Sequence, residues 1–267
     1  MGNSYVEVIK KAFSDNWVDV YPKKNKRDGG YCTCAYLAHP YVVINYEGKL
    51  DDVSTLIHEL GHAMHYYYAQ NFNTYEDYNY SIFVAEVASQ VNEIILTNYM
   101  LNHTDNIEEK KYILDSILQR FKATMIRQTM FAHFEDNLHN KEMNGTVLTK
   151  ELVQKEYLDL NKLYFGPNVE VDEDIKYECY RIPHFYYNFY VYQYATGYAA
   201  ALKIANDIIN KKDGALESYI KFLKLGSTLD PVKSLKVAGV DIESPSLYDE
   251  VFEFFDEKRK ELESLYE

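Results

Sequence analysis

Basic residues are in short supply in this 267-residue chain: 28 Lys and Arg stand against 41 Asp and Glu, a net charge of −13. A field of that sign repels a phosphate backbone, so nucleic acid is excluded as the expected partner. Cysteine is scarcer still. Cys32, Cys34 and Cys179 are too few for a disulfide framework and suit a reducing cytoplasm. No apolar run approaches the ~20 residues of a membrane span, and no signal-peptide h-region follows Met1. Gly2 is no myristoylation site, since Val6 stands where Ser or Thr is wanted. The expectation is a cytoplasmic protein without membrane contact. Repeats, low-complexity tracts and linker-length breaks are also missing, so residues 1–267 read as one domain with a sizeable core.

What is abundant is tyrosine, 27 residues against a single tryptophan. Apolar rings with hydroxyl tips suit a wet channel in which peptide backbone is both packed and hydrogen-bonded, although an AT-rich genome raises tyrosine use as well. The apolar spacing predicts a short helix over 4–14 and two strands over 31–36 and 41–46. Helices then follow over 51–70, 78–101, 106–139, 148–163, 185–211, 214–225 and 246–265. The chain is therefore mainly α, with a small antiparallel β element just before the first long helix.

That helix carries His58-Glu59-Leu60-Gly61-His62. Positions i and i+4 share a helix face, so both imidazoles can bind one ion, and Glu59 projects beside them as a base for a metal-activated water. Acidic Asp51 and Asp52 precede the apolar run, as a helix N-terminus prefers. By residue frequencies the bare pattern recurs in roughly one chain of this length per hundred, so a third ligand is needed to support it. Glu86 is the candidate. It lies in an apolar helical run, where an unpaired carboxylate is costly to bury, and no Lys or Arg occurs between Lys49 and Lys110 to neutralise it. Cys32-Thr33-Cys34 could be a metal pair but lacks a second Cys/His cluster, and reads equally as small residues on one strand face.

Together these segments resemble the oligoendopeptidase F branch of the thimet-type zinc metallopeptidases. Leu56 to His65 is similar to the family's active helix, and Phe83-Val84-Ala85-Glu86-Val87-Ala88-Ser89 to its second metal helix. His39-Pro40 through Tyr46 resembles its preceding strand, and Arg181-Ile182-Pro183-His184 through Gly197 its tyrosine-rich motif. The resemblance implies a zincin-like helical metallopeptidase catalytic domain and one zinc ion held by His58, His62 and Glu86. It further implies a general base, Glu59, and oxyanion donors at His184, Tyr187 and Tyr194. Family enzymes are about twice as long, so the chain corresponds to their C-terminal catalytic half. Cys179-Tyr180 stands where the family usually has tryptophan, and Cys32 and Cys34 where small Ser or Gly is common.

Several secondary expectations follow. Tyr187 and Tyr194 are two helical turns apart and share a face with Tyr190. Glu93 could orient a ligand histidine or be an exposed acid. His65 reads as a residue behind the metal or as a core histidine, and His133 and His139 as surface residues. The strand Tyr41–Tyr46 could add an extended peptide as a neighbour, with room provided by Gly29-Gly30. The expected activity is zinc-dependent endopeptidase cleavage of short oligopeptides. A dipeptidyl carboxypeptidase would need a cation such as Arg127 or Arg181 for the free C-terminus. A zinc-binding fragment inactive without the missing N-terminal part would instead show exposed apolar surface and self-association.

Overall fold

The computed structural model describes residues 1–266. The chain is mainly helical with one three-stranded sheet among the described residues, in the order α1 (Asn3–Ser14), β1 (Val18–Asp19), β2 (Tyr31–Thr33), β3 (Tyr41–Val43), α2 (Leu50–Phe72), α3 (Ile82–His103), α4 (Ile107–Phe121), α5 (Arg127–Met143), α6 (Lys150–Phe165), α7 (Tyr192–Ile209), α8 (Ala215–Leu223), α9 (Pro231–Val237) and α10 (Pro245–Ser264). No described helix is long and apolar enough to cross a membrane.

Packing gathers the chain into two compact units, one formed by residues 1–118 with those from Gly197 onward, the other by residues 119–196. In the first unit α2 and α3 form the most extensive helix pair. Around them lie apolar clusters of Ala12, Trp17 and Leu60, and of Val42, Ile44 and Ala63. The second unit has its own core of Met130, Phe131, Phe134, Tyr157, Leu160, Cys179, Ile182 and Val191. Cys179 thus fills an apolar site, while Tyr180 beside it is exposed.

The predicted strands pair antiparallel, with Cys32 opposite Val42. A third strand escapes the periodicity argument. β1 is two residues long, too short for alternation to register, and is fixed instead by the buried Trp17 at its start. It runs parallel to β3: Val42 N–H donates to Trp17 O, Ile44 N–H to Asp19 O and Tyr46 N–H to Val20 O. β3 is therefore the central strand, and the sheet's two edges belong to β1 and β2.

Two helices differ from expectation. The run 106–139 is interrupted by a π-helical segment, Lys122–Ile126. The run 185–211 starts only at Tyr192, after 3-10 segments at Glu173–Arg181 and Pro183–Tyr187. Between them Asn188 and Phe189 have φ of 49° and 54°, a left-handed conformation that no right-handed helix can pass through. For a bulky residue such as Phe189 this costs about 1–2 kcal/mol, which the surroundings must offset.

Candidate metal centre

The N-terminus of α2 is capped from within. Asp52 accepts hydrogen bonds from the backbone N–H of Glu47 (2.8 Å) and Lys49 (2.9 Å), which hold its carboxyl below the usual range. Further along, α2 presents His58 and His62, and between them it meets α3 at Gly61. A Cβ on Gly61 would lie 2.5 Å from Ser89 Cα and 2.7 Å from Ala88 O, so the backbones approach as closely as they do only because residue 61 lacks a side chain. Ser89 is one turn after Glu86, and the close crossing delivers that carboxylate to the two imidazoles.

The three donors form a compact triangle. His58 Nε2 lies 3.2 Å from His62 Nε2 and 3.2 Å from Glu86 Oε2, with 3.6 Å between His62 Nε2 and Glu86 Oε2. A tetrahedral ion with bonds of about 2.05 Å separates its ligands by about 3.3 Å, so the triangle matches one face of such a shell and leaves the fourth position open. Two imidazoles and one carboxylate are also a donor set suited to a divalent transition ion. Among the described residues this is the one group of three with metal-binding spacing, and Cys32 and Cys34 take no part in another.

α3 also orients what it delivers. Ser89 Oγ lies 3.0 Å from Glu86 Oε2 and 2.8 Å from Glu86 O. Glu93, one turn further on, is buried and places Oε2 at 3.3 Å from His58 Nδ1, settling its two readings in favour of the orienting one. With Nδ1 facing the Glu93 carboxylate, Nε2 faces the donor triangle. Burial alone would lower the His58 imidazole, but the carboxylates of Glu86 and Glu93 outweigh it and push it up to about 10.

Glu59 is 6% exposed, and its Oε2 has no hydrogen-bond partner among the described residues. Burial pushes its carboxyl above the ordinary value. A Cβ on Gly30 would come within 3.2 Å of Glu59 Cγ and Oε1, so the glycine before β2 leaves the space this carboxylate occupies. His65 belongs to the core: 1% exposed, it stacks on Tyr80 at 3.6 Å and 3°, with burial lowering it to about 3.

In the second unit His184, Tyr187, Tyr190 and Tyr194 gather, though not by sharing a helix face as the spacing suggested. His184 and Tyr187 stand on a 3-10 segment and Tyr194 on α7, with the left-handed Asn188-Phe189 pair between them. Tyr194 Oη lies 3.3 Å from His184 Nε2, Tyr190 stacks on His184 at 5.6 Å, and Tyr187 sits edge-on at 6.4 Å and is largely exposed. Neither arginine considered as an anchor is uncommitted. Arg127 (2.7 Å) and Arg181 both pair with Glu178, which also accepts from Tyr157 Oη at 2.7 Å. His139 is exposed as expected, whereas His133 is half-buried with Nδ1 3.4 Å from Tyr164 Oη. The peptide-pairing expectation does not hold for β3 over Tyr41–Val43, which is bonded on both sides; the edges of the sheet are the outer strands β1 and β2.

The sequence did not single out Gly61, Ser89 or Glu178. Gly61 and Ser89 matter through a helix crossing, for which one sequence holds no signal. Glu178 reads as one more acid in a charged stretch.

Oligopeptidase PepF of Bacillus subtilis is 45% identical over 99% of this chain and 40% of its own length. A crystal structure of a Chlamydophila abortus protein superposes with a TM-score of 0.91 at 41% identity, over 99% of this chain and 44% of that one. Oligoendopeptidase-F from Enterococcus faecium superposes with a TM-score of 0.74 at 42% identity, over 81% of this chain and 39% of that one. The chain thus spans less than half the length of these relatives. With residues 2–254, a stretch that includes α2, α3 and residues 181–197, matching Peptidase family M3, the chain belongs to that family.

Proposed function

We propose that this chain carries the catalytic centre of a zinc metallo-oligopeptidase that cleaves peptide bonds within short, unstructured peptides. The observation that carries the reading is the donor triangle of His58, His62 and Glu86, whose edges of 3.2–3.6 Å fit a tetrahedral shell. Bound there, zinc supplies Lewis acidity and brings the pKa of a water toward neutrality. Glu59 takes up the proton of the attacking water and hands it to the leaving amine nitrogen. Its buried, unpartnered oxygen and raised pKa suit a carboxylate that must hold a proton briefly. His184, Tyr187 and Tyr194 serve as neutral donors to the developing oxyanion, an assignment that rests on the motif resemblance. The outer edge of β2 takes the peptide as an added strand, making recognition depend on backbone more than on side chains. A cytoplasmic setting accords with three free cysteines.

A second reading, a zinc-binding chain that needs further polypeptide to cleave peptides, is favoured by the 40% coverage of the Bacillus relative. One experiment separates the two: zinc content together with cleavage of an internally quenched peptide blocked at both ends, for wild type and Glu59→Gln. The endopeptidase reading expects stoichiometric zinc in both and cleavage in the wild type alone. Zinc without any Glu59-dependent cleavage would leave the binding reading. Cleavage confined to peptides with a free C-terminus would replace the endopeptidase by a carboxypeptidase.

A further inference from the structure

Glu135 is a buried carboxylate in the second unit that the proposed chemistry leaves unused. It is 5% exposed, on α5. One oxygen, Oε1, accepts the backbone N–H of Phe189 at 2.9 Å. The other, Oε2, has no hydrogen-bond partner among the described residues. A half-satisfied buried carboxylate is a poor choice for stability alone and calls for another reason.

Its one partner supplies that reason. Phe189 N–H belongs to the left-handed Asn188-Phe189 pair, the joint between the 3-10 segment bearing His184 and the helix bearing Tyr194. Neither residue is glycine, so the joint is strained and needs an external hold. α5 grips the segment at two points. Phe131 and Phe134 pack on Phe185 at 5.2 Å each, next to His184, while Glu135 fixes the joint itself. Because α5 is anchored in the unit's core by Phe131 and Phe134, the two grips set how far Tyr194 stands from His184.

We infer that Glu135 is a positioning residue: by holding the Phe189 N–H in the strained joint, it sets the His184–Tyr194 pair at hydrogen-bond distance. The consequence for turnover rests on the proposed oxyanion role of that pair; the geometric consequence does not.

The test therefore reads geometry first. In histidine-labelled full chain, the imidazole resonances of His184, assigned by loss in His184→Gln, are compared among wild type, Glu135→Ala, Phe189→Gly and the double variant. Glycine adopts the left-handed conformation without strain, so the joint no longer needs Glu135. Expected are wild-type His184 resonances in Phe189→Gly, shifted or broadened ones in Glu135→Ala, and recovery in the double variant. Unchanged resonances in Glu135→Ala overturn the inference. So does a shift that Phe189→Gly fails to rescue, which would make Glu135 a packing residue only. On the blocked peptide, Glu135→Ala should lower kcat on the order of 10²-fold with KM and zinc content held. If the resonances behave as expected but Glu135→Ala and Tyr194→Phe both leave kcat intact, the positioning stands and the oxyanion assignment fails.

Discussion

Gly61→Ala is the substitution in which the closeness of α2 and α3 becomes measurable. The added Cβ would meet Ser89 Cα at 2.5 Å, Ala88 O at 2.7 Å and Ser89 N at 2.8 Å, all backbone atoms that no rotamer change can move. Ordinary contact begins near 3.4 Å, so the two helices must separate by about 0.9 Å. Glu86 lies one turn from Ser89 on the same helix and moves with it, taking its edges of 3.2 and 3.6 Å with the imidazoles to about 4 Å or more. Metal sites tolerate about 0.2 Å in their bond lengths, so the carboxylate no longer reaches a metal held by His58 and His62. Zinc affinity should fall by at least the roughly 100-fold that loss of a supporting contact costs. Overpacking adds a destabilisation of about 1–3 kcal/mol, of which alanine's helix propensity returns about 1 kcal/mol. The assay is chelator competition for zinc, with thermal unfolding of the metal-free chain measured alongside. Gly30→Ala is the control. Its Cβ would press on Thr55 Cγ2 and on the flexible Glu59 side chain, so it should disturb the base while leaving zinc affinity in place. Gly61→Ala binding zinc within about threefold of wild type would refute the crossing argument.

Glu93→Ala removes the carboxylate behind His58 Nδ1 and should weaken zinc about 10–100-fold without abolishing binding; chelator competition decides, and an unchanged affinity would make the 3.3 Å contact incidental. Ser89→Ala frees the Glu86 carboxylate from its 3.0 Å partner and should act in the same direction, more weakly, in the same assay. Glu178→Gln concerns acid stability. Burial tends to raise the Glu178 carboxyl, but the Tyr157 hydroxyl and the Arg127 and Arg181 guanidinium groups outweigh it, and its pKa falls below the ordinary 4.5. A carboxyl lowered on folding stabilises fully above the unfolded value and loses that contribution as pH falls through the folded one. The Tm gap between wild type and Glu178→Gln should therefore be constant near neutrality and close below about pH 4.5; a gap independent of pH down to acid unfolding would show that the charge is immaterial.

Much of the site could be read along the chain because its signals are local. His58 and His62 lie one turn apart on one helix, and helix geometry alone puts them on a shared face. Glu86 was legible for a different reason: an acid in an apolar, cation-free stretch has a solvation problem that needs an answer. The tyrosine-rich motif shows where local reasoning misleads. Seven-residue spacing predicted a common helix face for Tyr187 and Tyr194, yet the two stand on separate segments either side of a strained joint, and it is His184 that Tyr194 Oη approaches.

What the sequence determined by itself was therefore the mainly helical fold, the two histidines with a glutamate between them on one helix, and Glu86 as an acid in an apolar run in search of a partner. Each depends on periodicity or on the burial of a charge, properties carried by neighbours in the chain. Only the tertiary structure decided that a glycine sets the distance from α2 to α3, that β3 is central with the sheet's edges at β1 and β2, and that Glu93 and Glu135 hold other groups in place. Those contacts join residues 28 to 54 positions apart for Gly61–Ser89, His58–Glu93 and Glu135–Phe189, or follow from which strands pair, and close approach between distant segments leaves no periodic trace in a single sequence.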